Sequence, residues 1–158
     1  MLALVGRPIR IEVRRSLGGQ WAATSIPRRL ILLDSEVLRT RGEFERILVH
    51  EIFHFVWRRL SNASRRSWEA VMKAEYEGNV GGELGWSAEL RKRQLTGADL
   101  ARRTPAWRRY ACESFCDSAA WLYSRVVRHE EFTLPAWARR RRRRWFADKF
   151  PASFEIPI

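Results

Sequence analysis

The chain is poor in cysteine and lacks long apolar runs, and both features exclude classes of protein. Its two cysteines, Cys112 and Cys116, are too few for the disulfide framework of a small secreted domain. They stand four residues apart on one predicted helix, so we expect small buried thiols. No apolar run reaches the roughly 18 residues that a membrane-spanning helix needs, and the apolar start is too short for a signal peptide. We therefore expect a single cytoplasmic domain over residues 1–158.

Lysine is scarce as well, although the chain is strongly basic. Lys and Arg total 30 against 18 Asp and Glu, which gives a formal net charge of +12, and only Lys73, Lys92 and Lys149 are lysines. Such a charge favours nucleic acid, an anionic membrane or an acidic protein as partner. An arginine-rich coding bias would produce the same composition without any selection for binding. Charge alone therefore does not choose between these explanations.

The first part of the chain, residues 1–40, predicts strands. Residues 9–15 alternate between apolar and polar side chains, which is typical of a half-buried strand. The Gly18-Gly19 pair is a turn signal, and residues 20–26 can return as a second strand to complete a hairpin. The apolar run over 29–33 predicts a third strand. With the helices that follow, these segments predict an α+β fold with a small antiparallel or mixed sheet of about three strands.

The rest of the chain predicts mainly helices, and no internal repeat is visible. Helical periodicity and turn residues divide it into four blocks. These are a first helix at 41–60, a variable insert at 63–104 with short helices near 67–76 and 87–95, a helix at 105–128, and a basic helix with an extended tail at 135–158.

The most informative motif lies in the first helix, where His50-Glu51-Ile52-Phe53-His54 reads H-E-x-x-H and contains two of the chain's three histidines. Histidines four residues apart lie one above the other on one helix face, so both imidazoles can bind one Zn²⁺. Glu51 lies beside that site and could take a proton from a water that the metal activates. The alternative is a pair of core histidines, but a carboxylate among apolar residues is costly without a partner or a task. We therefore predict His50 and His54 as zinc ligands.

A catalytic zinc usually takes a third protein ligand, and Glu113 is the best candidate. It lies on the helix predicted at 105–128, whose apolar face should pack in the core. Asp117 follows four residues later on the same face and is suited to accept the second N–H of His50. His129 is less well placed, because 16 residues of continuous helix would put it about 24 Å from Glu113. The remaining alternatives are Glu75, Glu77 and Glu83.

A strand, a short loop and a helix that carries His50-Glu51-x-x-His54 resemble the core of the zincin metallopeptidases. The later helix with Glu113-x-x-x-Asp117 is similar to the gluzincin branch of that clan. The resemblance implies His50, His54 and Glu113 as zinc ligands, Glu51 as general base, and Asp117 as the residue that orients His50. It covers about residues 29–60 and 110–126. It implies a zinc-dependent peptidase.

Within the clan, the small intracellular ImmA/IrrE-like regulatory peptidases share this layout. The chain differs from them at Ile52-Phe53 and in the 59-residue gap between His54 and Glu113, which makes the middle segment a candidate insert at the substrate cleft. The SprT-like zincins use a third histidine instead, for which only His129 is available. The resemblance further implies that the strand at 30–33 is the rim on which a peptide lies extended.

Four further expectations concern the reaction and its alternatives. A tyrosine or histidine would stabilise the oxyanion, and Tyr110, Tyr76 and His129 are the candidates. The arginine-rich surface favours acidic peptide or protein substrates. Alternatively, the run Arg139–Arg144, flanked by aromatic residues, binds nucleic acid, or the chain is a metal-stabilised zincin scaffold without turnover. Six consecutive arginines on a helix point in all directions, so some must pack on the core or pair with acids.

Overall fold

The computed structural model describes residues 3–151 and 155–158, and these form an α+β fold. The strands are β1 (Ala3–Val5), β2 (Arg10–Arg14), β3 (Ala22–Ser25), β4 (Leu30–Asp34) and β5 (Glu155–Pro157). The helices are α1 (Arg41–Arg59), α2 (Asn62–Glu77), α3 (Trp86–Arg93), α4 (Gly97–Arg102), α5 (Pro105–Tyr123) and α6 (Ala136–Lys149), and a 3₁₀ helix at Ser35–Arg39 connects β4 to α1.

The main sheet has three strands in the order β2-β4-β3. The predicted hairpin of the first two strands is wrong, because β2 and β3 do not pair with each other and both pair with β4. β2 runs parallel to β4, and β3 runs antiparallel to it. β4 is apolar at four successive positions, which suits a central strand that is covered on both faces. The prediction of a half-buried β2 is also wrong, because Ile11 and Val13 on this edge strand are both exposed.

The second sheet joins the two ends of the chain. β1 and β5 pair in parallel, with Leu4 opposite Ile156. Ile156 is completely buried and belongs to the main core. The predicted tail is extended at Glu155–Pro157, whereas residues 152–154 of that tail lie outside the described residues.

The two helices that carry the sequence motifs pack against each other. α1 confirms the predicted first helix to within one residue at each end. α5 begins at Pro105, as predicted, with Thr104 as its N-cap. It ends at Tyr123 rather than near Arg128, because Ser124 has an extended backbone. Between and around these helices lies an aromatic core, whose fully buried members include Phe53, Trp68, Trp107, Phe115 and Phe146.

The middle segment contains more helix than the sequence predicts. The helix expected near 67–76 is part of α2, which begins at Asn62 because the Ser61 side chain caps it. The helix expected near 87–95 is α3. Thr96, interpreted as a break, instead forms a capping box with Asp99 at the start of α4. α3 packs against α5, so this part of the middle segment lies next to the site described below.

Within the described ranges, none of the helices combines the length and the apolar character that crossing a membrane requires.

Candidate metal centre and cleft

α1 and α5 bring three of the predicted donor side chains together. The imidazoles of His50 and His54 lie with ring centroids 4.9 Å apart. Nε2 of His50 is 3.3 Å from Oε2 of Glu113, and Nε2 of His54 is 3.9 Å from the same oxygen. Zinc–ligand bonds near 2.0–2.1 Å in a tetrahedron separate neighbouring donors by about 3.3 Å. The separation of Glu113 from His50 matches such an edge, whereas its separation from His54 is longer.

Asp117 holds His50 in this orientation. Its Oδ1 lies 2.7 Å from Nδ1 of His50, which is the contact that the sequence predicts. Its Oδ2 accepts the backbone N–H of Ala88, in the first turn of α3, at 3.0 Å. Burial alone would lower the pKa of His50, but the charge and hydrogen bond of Asp117 outweigh it, so the pKa is raised well above the usual value. Nε2 of His50 is thereby left to face Glu113.

The surroundings of Glu113 favour its ionised form, which is the form of a carboxyl that binds a metal ion. Burial raises the pKa of this carboxyl, but the hydrogen bond from His50 and the charges of His54, His50 and Arg91 bring it down to about 2. Arg91 of α3 lies with Nη2 3.2 Å from Oε1 of Glu113, opposite to the oxygen that faces the histidines. Sequence reasoning missed Arg91, because its proximity depends on how α3 packs on α5.

The two cysteines of α5 create a second donor set. Sγ of Cys112 and Sγ of Cys116 lie 3.6 and 3.5 Å from Nδ1 of His54. His50, His54 and Cys116 also offer donor atoms within 4.8 Å of one another. The hydrogen bond with Cys116, against the effect of burial and helped by His54, lowers the pKa of Cys112 to about 6. The thiols are free, as predicted, but they contact a predicted ligand rather than serving only as core filling.

One imidazole cannot direct both nitrogens at the same ion, so the two donor sets exclude each other at His54. If Nε2 of His54 binds the ion beside Glu113, its Nδ1 remains in contact with the two thiols. In that arrangement each histidine has a partner on its far nitrogen, namely Asp117 for His50 and the cysteines for His54. The Glu113 set has one separation that matches a tetrahedral edge, 3.3 Å from His50, and a longer one of 3.9 Å from His54. In the Cys116 set, the 3.5 Å between Sγ of Cys116 and Nδ1 of His54 suits the longer zinc–sulfur bond. The two sets differ in whether a carboxylate or a thiolate completes the site.

Glu51 is fixed from the sheet side of the site. The hydroxyl of Thr24 in β3 donates to Oε2 of Glu51 at 2.6 Å. Glu51 is largely buried, yet it lines the cleft together with His50 and His54. The sequence carries no signal for Thr24, because the contact requires β3, and not β4, to be the strand nearest to α1 at this point.

His50, Glu51, His54 and Glu113 line a cleft of about 820 Å³, within the range of about 300–1,000 Å³ that is usual for ligand sites. Its lining includes residues 19–24 and Ile26, in and around β3, and Trp86, Ser87 and Arg91 of α3. The prediction that residues 30–33 form the rim is wrong, because β4 lies between two other strands. The edge strand at the cleft is β3.

The predicted oxyanion donors lie elsewhere, which corrects that expectation. The hydroxyl of Tyr110 donates to Glu83 in the core at 2.6 Å, and that of Tyr76 donates to the carbonyl of Leu95 at 3.1 Å. His129 binds Glu43. In the described part of the chain, none of these three lines the cleft. The alternative ligands are also committed to ion pairs: Glu75 and Glu83 with Arg142, and Glu77 with Lys73.

The arginine run is divided between the core and the surface. Arg142 is completely buried between Glu75 and Glu83, at 2.6 and 2.7 Å. Arg139 donates to the carbonyls of Leu134 and Phe132. The other four guanidinium groups are exposed, two of them over tryptophan rings: Arg140, Arg141 (over Trp137), Arg143 (over Trp121) and Arg144.

Comparison of the chain with protein-family models, with curated proteins and with solved structures gave no significant match.

Proposed function

We propose that this protein is a zinc-dependent peptidase with a zincin-like, gluzincin-type site in the cytoplasm. The observation that carries the proposal is the close approach of Glu113 to His50 and His54 in the lining of a large cleft, with Asp117 hydrogen-bonded to His50. These residues would hold the ion, which, when bound, supplies the Lewis acidity that activates water and polarises a peptide carbonyl. The H-E-x-x-H spacing and the carboxylate four residues before Asp117 support the same reading.

Glu51 is the general base of the proposed reaction. Its carboxylate accepts the proton of the attacking water and passes it to the departing amine. Oε2 of Glu51 is held by Thr24, so Oε1 is the oxygen left for this proton transfer. The hydrogen bond also fixes the carboxylate against rotation, which keeps the base in one position relative to the histidines one residue before and three residues after it.

A single substitution separates the base from the ligands. Glu51→Gln should keep zinc, because Glu51 is not one of the proposed ligands, while hydrolysis of a casein or peptide-mixture substrate should fall by about 10²–10⁴-fold. Glu45→Gln is the matched control, since Glu45 lies on the same helix but does not line the cleft. Unchanged hydrolysis in Glu51→Gln, or no zinc-dependent hydrolysis by the unsubstituted protein, would contradict the proposal.

Nucleic-acid binding is a second candidate function, and the exposed face of α6 favours it. Arg140, Arg141, Arg143 and Arg144 are exposed beside the exposed ring of Trp137. Such a surface can contact phosphates and stack bases. Retention on single-stranded or duplex DNA that weakens with salt, and is lost in Arg140→Glu/Arg144→Glu, supports this function. No retention at about 50 mM salt excludes it.

A further inference from the structure

The cleft contains three arginines, and their surroundings differ. Arg46 is held by two glutamates, the nearer at 2.8 Å, and Arg91 lies 3.2 Å from Glu113. Arg58 also lines the cleft and is exposed. Across residues 3–151 and 155–158, no acid lies within ion-pair distance of Arg58. Its charge is therefore open to a ligand in the cleft.

The acids that line the cleft do not neutralise Arg58, because each has another partner. Glu51 accepts from Thr24, and Glu113 faces the histidines and Arg91. The remaining two are Asp117, which binds His50 and the N-terminus of α3, and Glu131, which binds Arg46. An anionic group in the cleft thus meets Arg58 without displacing an existing pair.

Arg58 stands in line with the proposed ligands. His50, His54 and Arg58 follow one another at intervals of four residues on one face of α1. Each interval corresponds to a rise of about 6 Å along the helix, whereas an extended peptide advances about 3.3 Å per residue. A carboxylate paired with Arg58 therefore lies about two residues from the peptide unit beside His54.

Two exposed tryptophans flank the same cleft. Trp21, just before β3, is 58% exposed, and Trp86, the first residue of α3, is 63% exposed. Covering a large aromatic side chain with a ligand removes apolar surface from water, which favours binding. Trp21 lies beside the sheet and Trp86 lies on a helix, so two separate segments of the lining offer apolar contacts to a bound chain. Beside Trp21, β3 presents the edge of the sheet to the cleft.

We propose that this cleft selects an extended acidic peptide, which places an Asp or Glu side chain on Arg58 and apolar or aromatic side chains on Trp21 and Trp86. The inference rests on the proposed peptidase function and names its substrate class. Arg58, rather than the basic surface as a whole, gives the cleft its preference for an acidic side chain.

Binding can be measured without turnover in the Glu51→Gln protein. The probes are two fluorescein-labelled decapeptides that share two Phe residues and differ only in carrying Glu or Lys at three positions. Fluorescence anisotropy should show about tenfold tighter binding of the Glu peptide, the combined effect of an attraction gained and a repulsion avoided. Arg58→Glu in the same background should remove or reverse this preference. Arg59→Glu changes the net charge equally but lies outside the cleft, and it should keep the preference.

The role of the two tryptophans is tested separately, by the affinity of variants for the same two peptides. Trp21→Ala and Trp86→Ala should weaken the Glu and Lys peptides by similar factors, since the rings contact apolar side chains that both peptides contain. Trp137→Ala removes an exposed ring that does not line the cleft and should leave both affinities unchanged.

The outcomes separate this inference from the function on which it rests. Equal binding of the two peptides, or equal effects of Arg58→Glu and Arg59→Glu, overturns the role of Arg58 even if the unsubstituted protein hydrolyses peptides. Arg58-dependent binding of the Glu peptide supports the inference, and hydrolysis by the unsubstituted protein is then scored independently. Binding without any hydrolysis contradicts the peptidase proposal alone.

Discussion

Nδ1 of His50 on α1 lies 2.7 Å from Oδ1 of Asp117 on α5, across 67 residues of chain. The other oxygen of Asp117 accepts the N–H of Ala88 at the start of α3. This helix begins after Gly85, which has no side chain with which to cap it. Asp117 therefore caps α3 and also orients a proposed zinc ligand. Through these two hydrogen bonds, one carboxylate on α5 connects α1 with α3.

The close approach of Gly85 to Asp117 predicts the effect of one added methyl group. A Cβ at Gly85 would lie 2.2 Å from Cγ of Asp117, so Gly85→Ala must displace the carboxylate from His50. We expect zinc affinity to fall by about 10–100-fold, as for other losses of a ligand's supporting partner. Gly81→Ala, in the same loop with open space around it, should bind zinc like the unsubstituted protein. Titration of the three proteins with zinc measures the difference, and equal affinities would show that Asp117 does not orient a ligand.

The hydroxyl of Thr24 predicts a kinetic effect without a loss of metal. Thr24→Val keeps the shape of the side chain but removes the hydrogen bond to Glu51. We expect kcat to fall by about tenfold as the base loses its fixed orientation, while zinc content and KM change little. Ser25→Ala, at the next position of β3 and outside the cleft lining, is the control. A raised KM with an unchanged kcat would place Thr24 in substrate binding instead.

Because Arg142 is buried between two glutamates, its substitution should destabilise the fold far more than substitution of an exposed arginine in the same run. Arg142→Met leaves Glu75 and Glu83 buried without their shared cation, which should cost about 3–5 kcal/mol of unfolding free energy. Arg140→Met changes an exposed arginine on the same helix and should alter stability by less than about 0.5 kcal/mol. Urea unfolding of both variants provides the comparison. Similar losses in the two would show that the buried ion pairs contribute nothing specific.

The lowered pKa of Glu83 predicts how the free energy of unfolding changes at acidic pH. Burial raises the pKa of this carboxyl, but the charges of Arg142 and Lys92 outweigh it, so the pKa in the folded protein is lowered. The resulting stability is present above the unfolded-state pKa of about 4.3 and is lost as the pH falls through the folded-state value. With a chelator present, the unfolding free energy should therefore decline less steeply below about pH 4.5 in Glu83→Gln than in the unsubstituted protein. Parallel curves for the two proteins would contradict this role of Glu83.

Local spacing was sufficient to predict α1, the start of α5 and the partners of His50. Residues four apart share a helix face whatever the rest of the fold does, so His50 with His54, and Glu113 with Asp117, could be paired from the sequence. To bring the two pairs together, α1 and α5 must also pack against each other. The apolar stripe of α5 indicated that this helix would enter the core.

The features that the sequence did not predict depend on contacts between distant segments. Strand order is one example, because the alternation in β2 predicts a strand but not that β4 will lie between β2 and β3. Thr24 lies beside Glu51 because β3 packs against α1, and the thiols lie beside His54 because α5 packs against α1. Arg142 is another case, since six identical neighbours give no sign of which one will be buried.

The most direct test of the proposed metal centre is a measurement of zinc affinity that shows whether Glu113 or Cys116 is the third donor. Zinc affinity should be measured by competition with a chromophoric chelator for the unsubstituted protein, Glu113→Gln, Cys116→Ser and His129→Ala, with circular dichroism to confirm that each is folded. We predict a loss of more than about 100-fold in Glu113→Gln, beyond the effect of a supporting residue, and changes of less than about tenfold in Cys116→Ser and none in His129→Ala. Tight binding in Glu113→Gln together with loss in Cys116→Ser would contradict the account.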